Sequence, residues 1–293
     1  MVNEMTKRLA PHVLKKLLEV GEALDIGRQL AVGHGGEVFV NEEESAQNAE
    51  RECKGPAGGQ GSQRRSGECL RARQEAAPGS PTRLRGKSLA EHYLLEEGEV
   101  SDRYGGRFIP SRNGLWVVAR SAPLGSGGPQ VHLAVYLPFA LGRRPQAWAF
   151  SKLGQFPKLV GPRHTNFPDH SICAQGDNDG AWFPPDGVVA LLNLYSTWLF
   201  RHLYLAQVGK WPGRQWGASA LYRRTEFHPD EWCGCGKAAR YRDCCQTADL
   251  EVPEEEAKQE HLRITGAAYS ERRAPTAIMT FARSGWKKVP QAG

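Results

Sequence analysis

Four cysteines crowd into thirteen residues of the stretch EWCGCGKAARYRDCCQ: Cys233, one glycine, Cys235, then eight residues, then Cys244 and Cys245 side by side. No other feature of this 293-residue chain restricts its local fold so tightly. Four thiolates at this spacing match a tetrahedral zinc site, with each sulfur about 2.3 Å from the ion. Gly234 and Gly236 give the backbone the freedom to turn both early sulfurs toward one point. The competing reading is four reduced thiols with no common partner, and the density of cysteines argues against it. Because all four ligands would be protein thiolates, no open position would be left for metal-borne catalysis.

Reduced thiols are expected from the rest of the sequence. The opening MVNEMTKRLAPHVLKKLLEV carries charges throughout and does not read as a secretory signal. No apolar run approaches the roughly 20 residues of a membrane span. A cytoplasmic protein with no membrane partner is therefore expected, and disulfides are not. A net charge of +6, spread without a Lys/Arg block, permits an acidic partner but does not indicate nucleic acid.

Five segments follow from pattern and composition. Residues 1–40 read as an N-terminal helical segment, with Leu9, Val13, Leu17, Val20 and Leu24 at helical spacing. Residues 41–88 are rich in Gly, Ser, Gln, Arg and Glu and nearly free of large apolar side chains, the composition of a disordered linker. Limited trypsin digestion is expected to cut there first, at Arg64 and Arg65 or at Arg71 and Arg73; equal resistance of this stretch and the 110–213 region would refute the reading. Residues 107–227 form the main domain. Leu115 to Ala119, the turn PLGSGGPQ and the alternating Val131, Leu133, Val135 and Leu137 read as a hairpin; AWAFSKL and FPKLVG read as further strands. From Asp186, a plausible N-cap, Val188, Leu191, Leu192, Tyr195, Leu199 and Leu203 mark one face of a helix ending near Gly209. Residues 228–248 are the zinc knuckle, and 249–293 a C-terminal tail with a helical acidic stretch.

The segment RHTNFPDHSIC, residues 163–173, carries the chemistry. Cys173 is a thiol next to an asparagine and two histidines, and a thiol is a fair nucleophile without a dedicated base. Asn166 offers a side-chain amide as oxyanion donor. The bland alternative is a buried structural cysteine.

Two resemblances sharpen these readings. The quartet, with its Lys237 to Tyr241 centre and CC ending, resembles the SEC-C motif, best known at the C-terminus of the bacterial preprotein translocase ATPase. The order strand meander, His164-Thr165-Asn166, Ile172-Cys173, Trp182-Phe183-Pro184 and amphipathic helix resembles ubiquitin-conjugating enzymes over roughly residues 110–213. The ending GKWPG resembles their bacterial branch, found in antiphage operons of the CBASS kind. Thr165 replaces the family's proline, and the His-to-Cys interval is one residue short.

The resemblance implies an α+β fold, a ubiquitin-conjugating-like antiparallel meander with flanking helices plus a small zinc knuckle. It implies Cys173 as thioester carrier, Asn166 as oxyanion donor and His164 as the residue holding the turn. Asp177 and Asp179 stand nearest the place of the family's acidic helper. It further implies a ubiquitin-like or nucleotidyltransferase-type protein donor, a separate activating enzyme and a lysine on an acceptor protein. The alternative function is a non-catalytic protein-binding module with a structural zinc knuckle.

Overall fold

A computed structural model describes residues 11–25, 29–32, 38–41, 88–123, 128–140, 143–153, 156–174, 182–288 and 290. The segment expected to be unstructured, 41–88, lies outside the described residues except at its two ends, as do Asp177 and Asp179.

The architecture is mixed helix and antiparallel sheet. Five strands, β3 (Arg107–Ser111), β4 (Gly114–Arg120), β5 (His132–Pro138), β6 (Gln146–Leu153) and β7 (Phe156–Leu159), pair in sequential order. A two-stranded hairpin, β1 (Gln29–Val32) with β2 (Val38–Asn41), precedes them. The sequence signals for β4 through β7 are met, and β3 is an added edge strand whose register runs from Arg107 opposite Val118 to Ser111 opposite Gly114.

Alternation along the strands builds one core. Leu115, Val117 and Ala119 stand opposite Leu137, Val135 and Leu133, and Val135 and Leu133 stand opposite Ala147 and Ala149; all are buried on one face. Helix α4 (Gly187–Val208) covers that face, with Val188, Leu191, Leu192, Leu199 and Leu203 essentially inaccessible. Helix α1 (Pro11–Asp25) joins the same core through Leu17, Val20 and Leu24. A Cβ on Gly21 would stand 1.8 Å from the Tyr204 ring, so the α1–α4 approach requires glycine there. The N-terminal helix is thus part of the main body.

Three details differ from the sequence reading. Helices α2 (Leu89–Leu94) and α3 (Glu97–Tyr104) fill the stretch before β3, and α2 starts with a capping box in which Ser88 and Glu91 satisfy each other's backbone N–H. Helix α4 does begin after Asp186, but the Asp186 carboxylate accepts from the Phe183 N–H at 2.7 Å, while Glu96 Oε2 accepts the Val189 N–H at 2.8 Å and caps the helix from across the fold. Residues 249–288 of the C-terminal tail are largely helical. After α5 (Ala220–Glu226) come α6 (Gln246–Glu251), α7 (Glu254–Thr265) and α8 (Thr276–Arg283). Helix α8 packs Ile278, Phe281 and Ala282 onto Trp116, Val118, Ala134, Trp148 and Phe150, the second face of the sheet. Among the described residues no helix is long and apolar enough to cross a membrane.

Candidate functional site

The stretch 163–173 is a small hairpin laid along the sheet. Thr165 and Ile172 form an antiparallel bridge; the Asn166 N–H donates to Ser171 O at 2.7 Å, and the Cys173 N–H donates to His164 O at 2.9 Å. The Ile172 N–H reaches Ala147 O on β6 at 2.7 Å, so the cysteine's neighbour is tied to the sheet.

Helix α4 grips the first arm. Trp198 and His202 lie one turn apart on the same face, as positions i and i+4 must. Trp198 Nε1 donates to His164 O at 2.9 Å and His202 Nε2 to Arg163 O at 2.8 Å. His164 sits in the left-handed region, φ 49°, which turns its own N–H toward the Tyr222 hydroxyl at 3.0 Å. The backbone around His164 is therefore held from α4, from α5 and from Cys173.

The His164 side chain is taken up by Gln215 and Trp211. Gln215 Nε2 donates to Glu231 Oε2 at 3.0 Å and to Trp232 O at 2.8 Å, which leaves Gln215 Oε1 to accept from His164 Nε2 at 3.0 Å. The ring lies 4.3 Å from that of Trp211. Burial, with the Arg163 guanidinium beside it, holds the His164 imidazole well below its ordinary value. It is a neutral donor and a structural link.

Asn166 and Cys173, in contrast, line one cavity of about 990 Å³ at the end of the sheet. Cys173 is partly exposed and Asn166 exposed. The Asn166 amide donates to Ser171 Oγ at 3.0 Å and to Ile172 O at 3.1 Å, the carbonyl immediately before the cysteine. Trp182 is buried, donating to Gly187 O at 2.7 Å and stacking near Tyr93, while the Pro184 carbonyl accepts from His92 at 2.8 Å. The 182–186 turn is thereby fixed to α2 and α4.

The cysteine quartet closes on itself. The sulfurs of Cys233, Cys235, Cys244 and Cys245 all lie within 4.8 Å of one another, with Cys235 to Cys244 at 3.5 Å and Cys244 to Cys245 at 3.7 Å. A tetrahedron of sulfurs about 2.3 Å from its centre has edges of about 3.8 Å, so the four could hold a metal ion. Cys233 N–H to Ala239 O, Tyr241 N–H to Glu231 O and the Trp232–Arg240 bridge make residues 231–241 a hairpin. Gly234, φ 70°, turns between the first two ligands where a Cβ would stand 2.8 Å from the Gly217 nitrogen. Burial pushes the Cys235 thiol up, but the Lys237 N–H and the neighbouring cysteines outweigh it and bring it down to about 7; burial and the same neighbours push Cys233 far up. Arg240 lies over the Trp232 ring and Arg242 pairs with Asp230. Arg223, paired twice with Asp249, is the cation whose field reaches Cys245 and Cys233.

The quartet segment packs against the 163–173 hairpin. Tyr222, Phe227, Cys233 and Tyr241 cluster with Phe167, the residue after Asn166. Two residues before Cys233, the fully buried Glu231 carboxylate accepts from Arg163, from Gln215 and, at 2.6 Å, from the Trp211 N–H. Sequence reasoning missed Glu231, Gln215 and Tyr222; their partners lie tens of residues away. It also missed the Trp198–His202 pair, for which the i, i+4 spacing was an available signal.

An acid lability follows from the clamp. Burial holds His202 at about 3 and His170 at about 4, against an ordinary 6.5, and His164 also lies well below that value. The unfolded chain takes up these protons first, so stability is complete above about 6.5 and is lost as pH falls toward the folded values. The thermal midpoint is expected to be level above about pH 7 and to drop steadily between about pH 6.5 and 4. A chromogenic chelator in the same titration separates any loss due to metal release. A flat profile would mean the histidines are accessible. Searches against protein-family models, curated proteins and solved structures find no match to this chain.

Proposed function

We infer that the chain is a cysteine acyl carrier of the ubiquitin-conjugating type, with Cys173 as the carrier and the quartet as a structural zinc centre. The observation that carries this reading is the shared cavity: Asn166 and Cys173 line it together, on the two arms of a hairpin clamped by a buried network. The element order supports it, since a sequential meander leads into the cysteine hairpin and then into a helix across the sheet.

The chemistry runs in two steps. The Cys173 thiolate attacks the activated C-terminal carbonyl of a ubiquitin-like or nucleotidyltransferase-type protein, and the leaving group departs with the bonding pair. A lysine amine of the acceptor protein then attacks the thioester, and the oxyanion collapses to expel the thiolate. The amine's proton passes to solvent, since the His164 imidazole is already occupied as a donor to Gln215. Asn166 supplies an N–H to the oxyanion by releasing Ser171 Oγ or Ile172 O. A separate enzyme activates the donor. Cys233, Cys235, Cys244 and Cys245 would hold zinc, which when bound supplies a cross-link with no vacant position.

A synthetic peptide ending in a glycine thioester tests the reading. Intact-mass analysis is expected to find one peptide per chain, mapped to Cys173 and removed by a thiol reductant. Cys173→Lys is expected to give a reductant-stable amide instead. Failure to load Cys173, or loading spread over several cysteines, would sink it. The binding-module alternative draws on one observation, the engagement of the Asn166 amide by its own hairpin.

The zinc assignment has its own measurement. Freshly purified reduced protein is expected to carry about one zinc per chain, and Cys244→Ser to lower that content. Metal analysis finding none in the wild-type chain would remove the centre.

A further inference from the structure

The cavity beside Cys173 extends well past the thiol, and its far wall belongs to the C-terminal region, where Pro275 and Ile278 line it. Three guanidinium groups share the same lining: Arg112 from the β3–β4 turn, and Arg143 and Arg144 from the β5–β6 connection. All three residues are exposed, and none has an ion pair or side-chain hydrogen bond among the described residues. The one carboxylate among the described lining residues, Asp169, is already committed. Its Oδ2 accepts from Gln146 at 2.5 Å and its Oδ1 from the Ser171 N–H at 2.9 Å.

A fourth donor is buried. Trp116 lines the cavity at 3% exposure, and its indole N–H has no acceptor. A buried N–H left unpaired is costly and calls for an explanation. The lining is thus rich in positive charge and donors and short of acceptors. Its walls are aromatic as well, with Trp116 5.0 Å from Tyr136 and 6.2 Å from Trp148, ring to ring.

This combination suits an occupant that is extended, partly apolar and acidic. A lone phosphate would leave most of a cavity of about 990 Å³ unfilled. A polypeptide segment supplies backbone carbonyls for the indole N–H, carboxylates for the guanidinium groups and apolar side chains for the rings. Cys173 lies in the same cavity, so a segment seated there brings its end to the sulfur.

We propose that the cavity seats the C-terminal segment of the acyl donor, and that this segment carries acidic side chains read by Arg112, Arg143 and Arg144. The proposal rests on Cys173 as acyl carrier and adds the chemical class of the donor tail. Helix α8 takes part as a wall of the seat, which gives the C-terminal region a role in choosing the donor.

Binding can be measured apart from chemistry. The probe is a fluorescent peptide of Glu, Phe and Gly ending in Gly-Gly, titrated into the full-length Cys173→Ala chain and followed by anisotropy. A second peptide replaces each Glu by Lys. The acidic peptide is expected to bind and the basic one not. Arg143→Glu combined with Arg144→Glu is expected to weaken binding by roughly tenfold or more, and added salt to weaken it further. Both arginines are exposed, so the fold should be unaffected, which circular dichroism checks. Equal binding of the two peptides, or unchanged binding in the charge-reversed chain, would overturn the proposal. So would displacement of the peptide by inorganic phosphate or adenosine monophosphate at comparable concentrations, since the arginines would then serve a small anion. Arginine-dependent binding without thioester formation on the wild-type chain would uphold the acidic seat and fell the carrier reading instead.

Discussion

Cys173→Ala is expected to abolish acyl transfer with no shift in the thermal midpoint. The sulfur is partly exposed, and the main-chain bond that positions the residue, from its N–H to His164 O, survives the substitution. Asn166→Ala is expected to leave loading intact and to slow transfer by about 10²–10³-fold, the usual cost of losing one oxyanion donor. Its amide must let go of one acceptor to act, so Ser171→Ala, which removes one competitor, should leave transfer at least as fast as wild type. Single-turnover discharge of preloaded protein to free lysine separates the two steps. Full activity of Cys173→Ala would end the enzyme reading, and unaltered discharge in Asn166→Ala would end the role of the asparagine alone.

The second large effect concerns stability. Arg163 and Glu231 form an ion pair whose side chains are 6% and 0% exposed. Removing one partner leaves the other charged in a medium that cannot solvate it, at a cost of about 3–5 kcal/mol. Arg163→Met or Glu231→Leu alone should therefore lower the urea midpoint sharply. The pair of substitutions together should recover a large part of the loss, because no lone charge remains. Glu231 also accepts from Gln215 and the Trp211 N–H, so the recovery should be incomplete. If the double variant is as unstable as the sum of the singles, the pair contributes packing rather than charge compensation.

Much of the fold was legible because its signals are local. The period-two pattern at Val131, Leu133, Val135 and Leu137 marked β5, and the period-3.6 pattern from Val188 marked α4 with Gly209 as its left-handed end. The spacing of the quartet marked four sulfurs that lie close enough to share a metal ion. The S-x-x-E signature of Ser88 and Glu91 was equally local and went unread. The run Leu115-Trp-Val-Val-Ala119 is apolar at every position, which means burial on both faces. It implied a second covering element, and α8 is that element. The rest was not local. Glu96 caps α4 and Glu231 anchors the cysteine hairpin across large sequence separations, and no periodicity records such pairings. Asn166, Cys173 and His164 were legible only as residue types in order, whereas the cavity that Asn166 and Cys173 line together and the bonds of His164 to Gln215 and Tyr222 are not recorded in any spacing.

The covering of the sheet from opposite ends of the chain has a consequence for biosynthesis. Chains emerge N-terminus first, and units fold as they appear. Helix α1 and then α4 are available to the inner face early, but Trp116, Trp148 and Phe150 wait for a helix that starts at Thr276. Throughout that interval the nascent protein carries a bare aromatic surface, so ribosome stalling or truncation before Arg283 should yield a sticky, chaperone-bound product rather than a smaller working one.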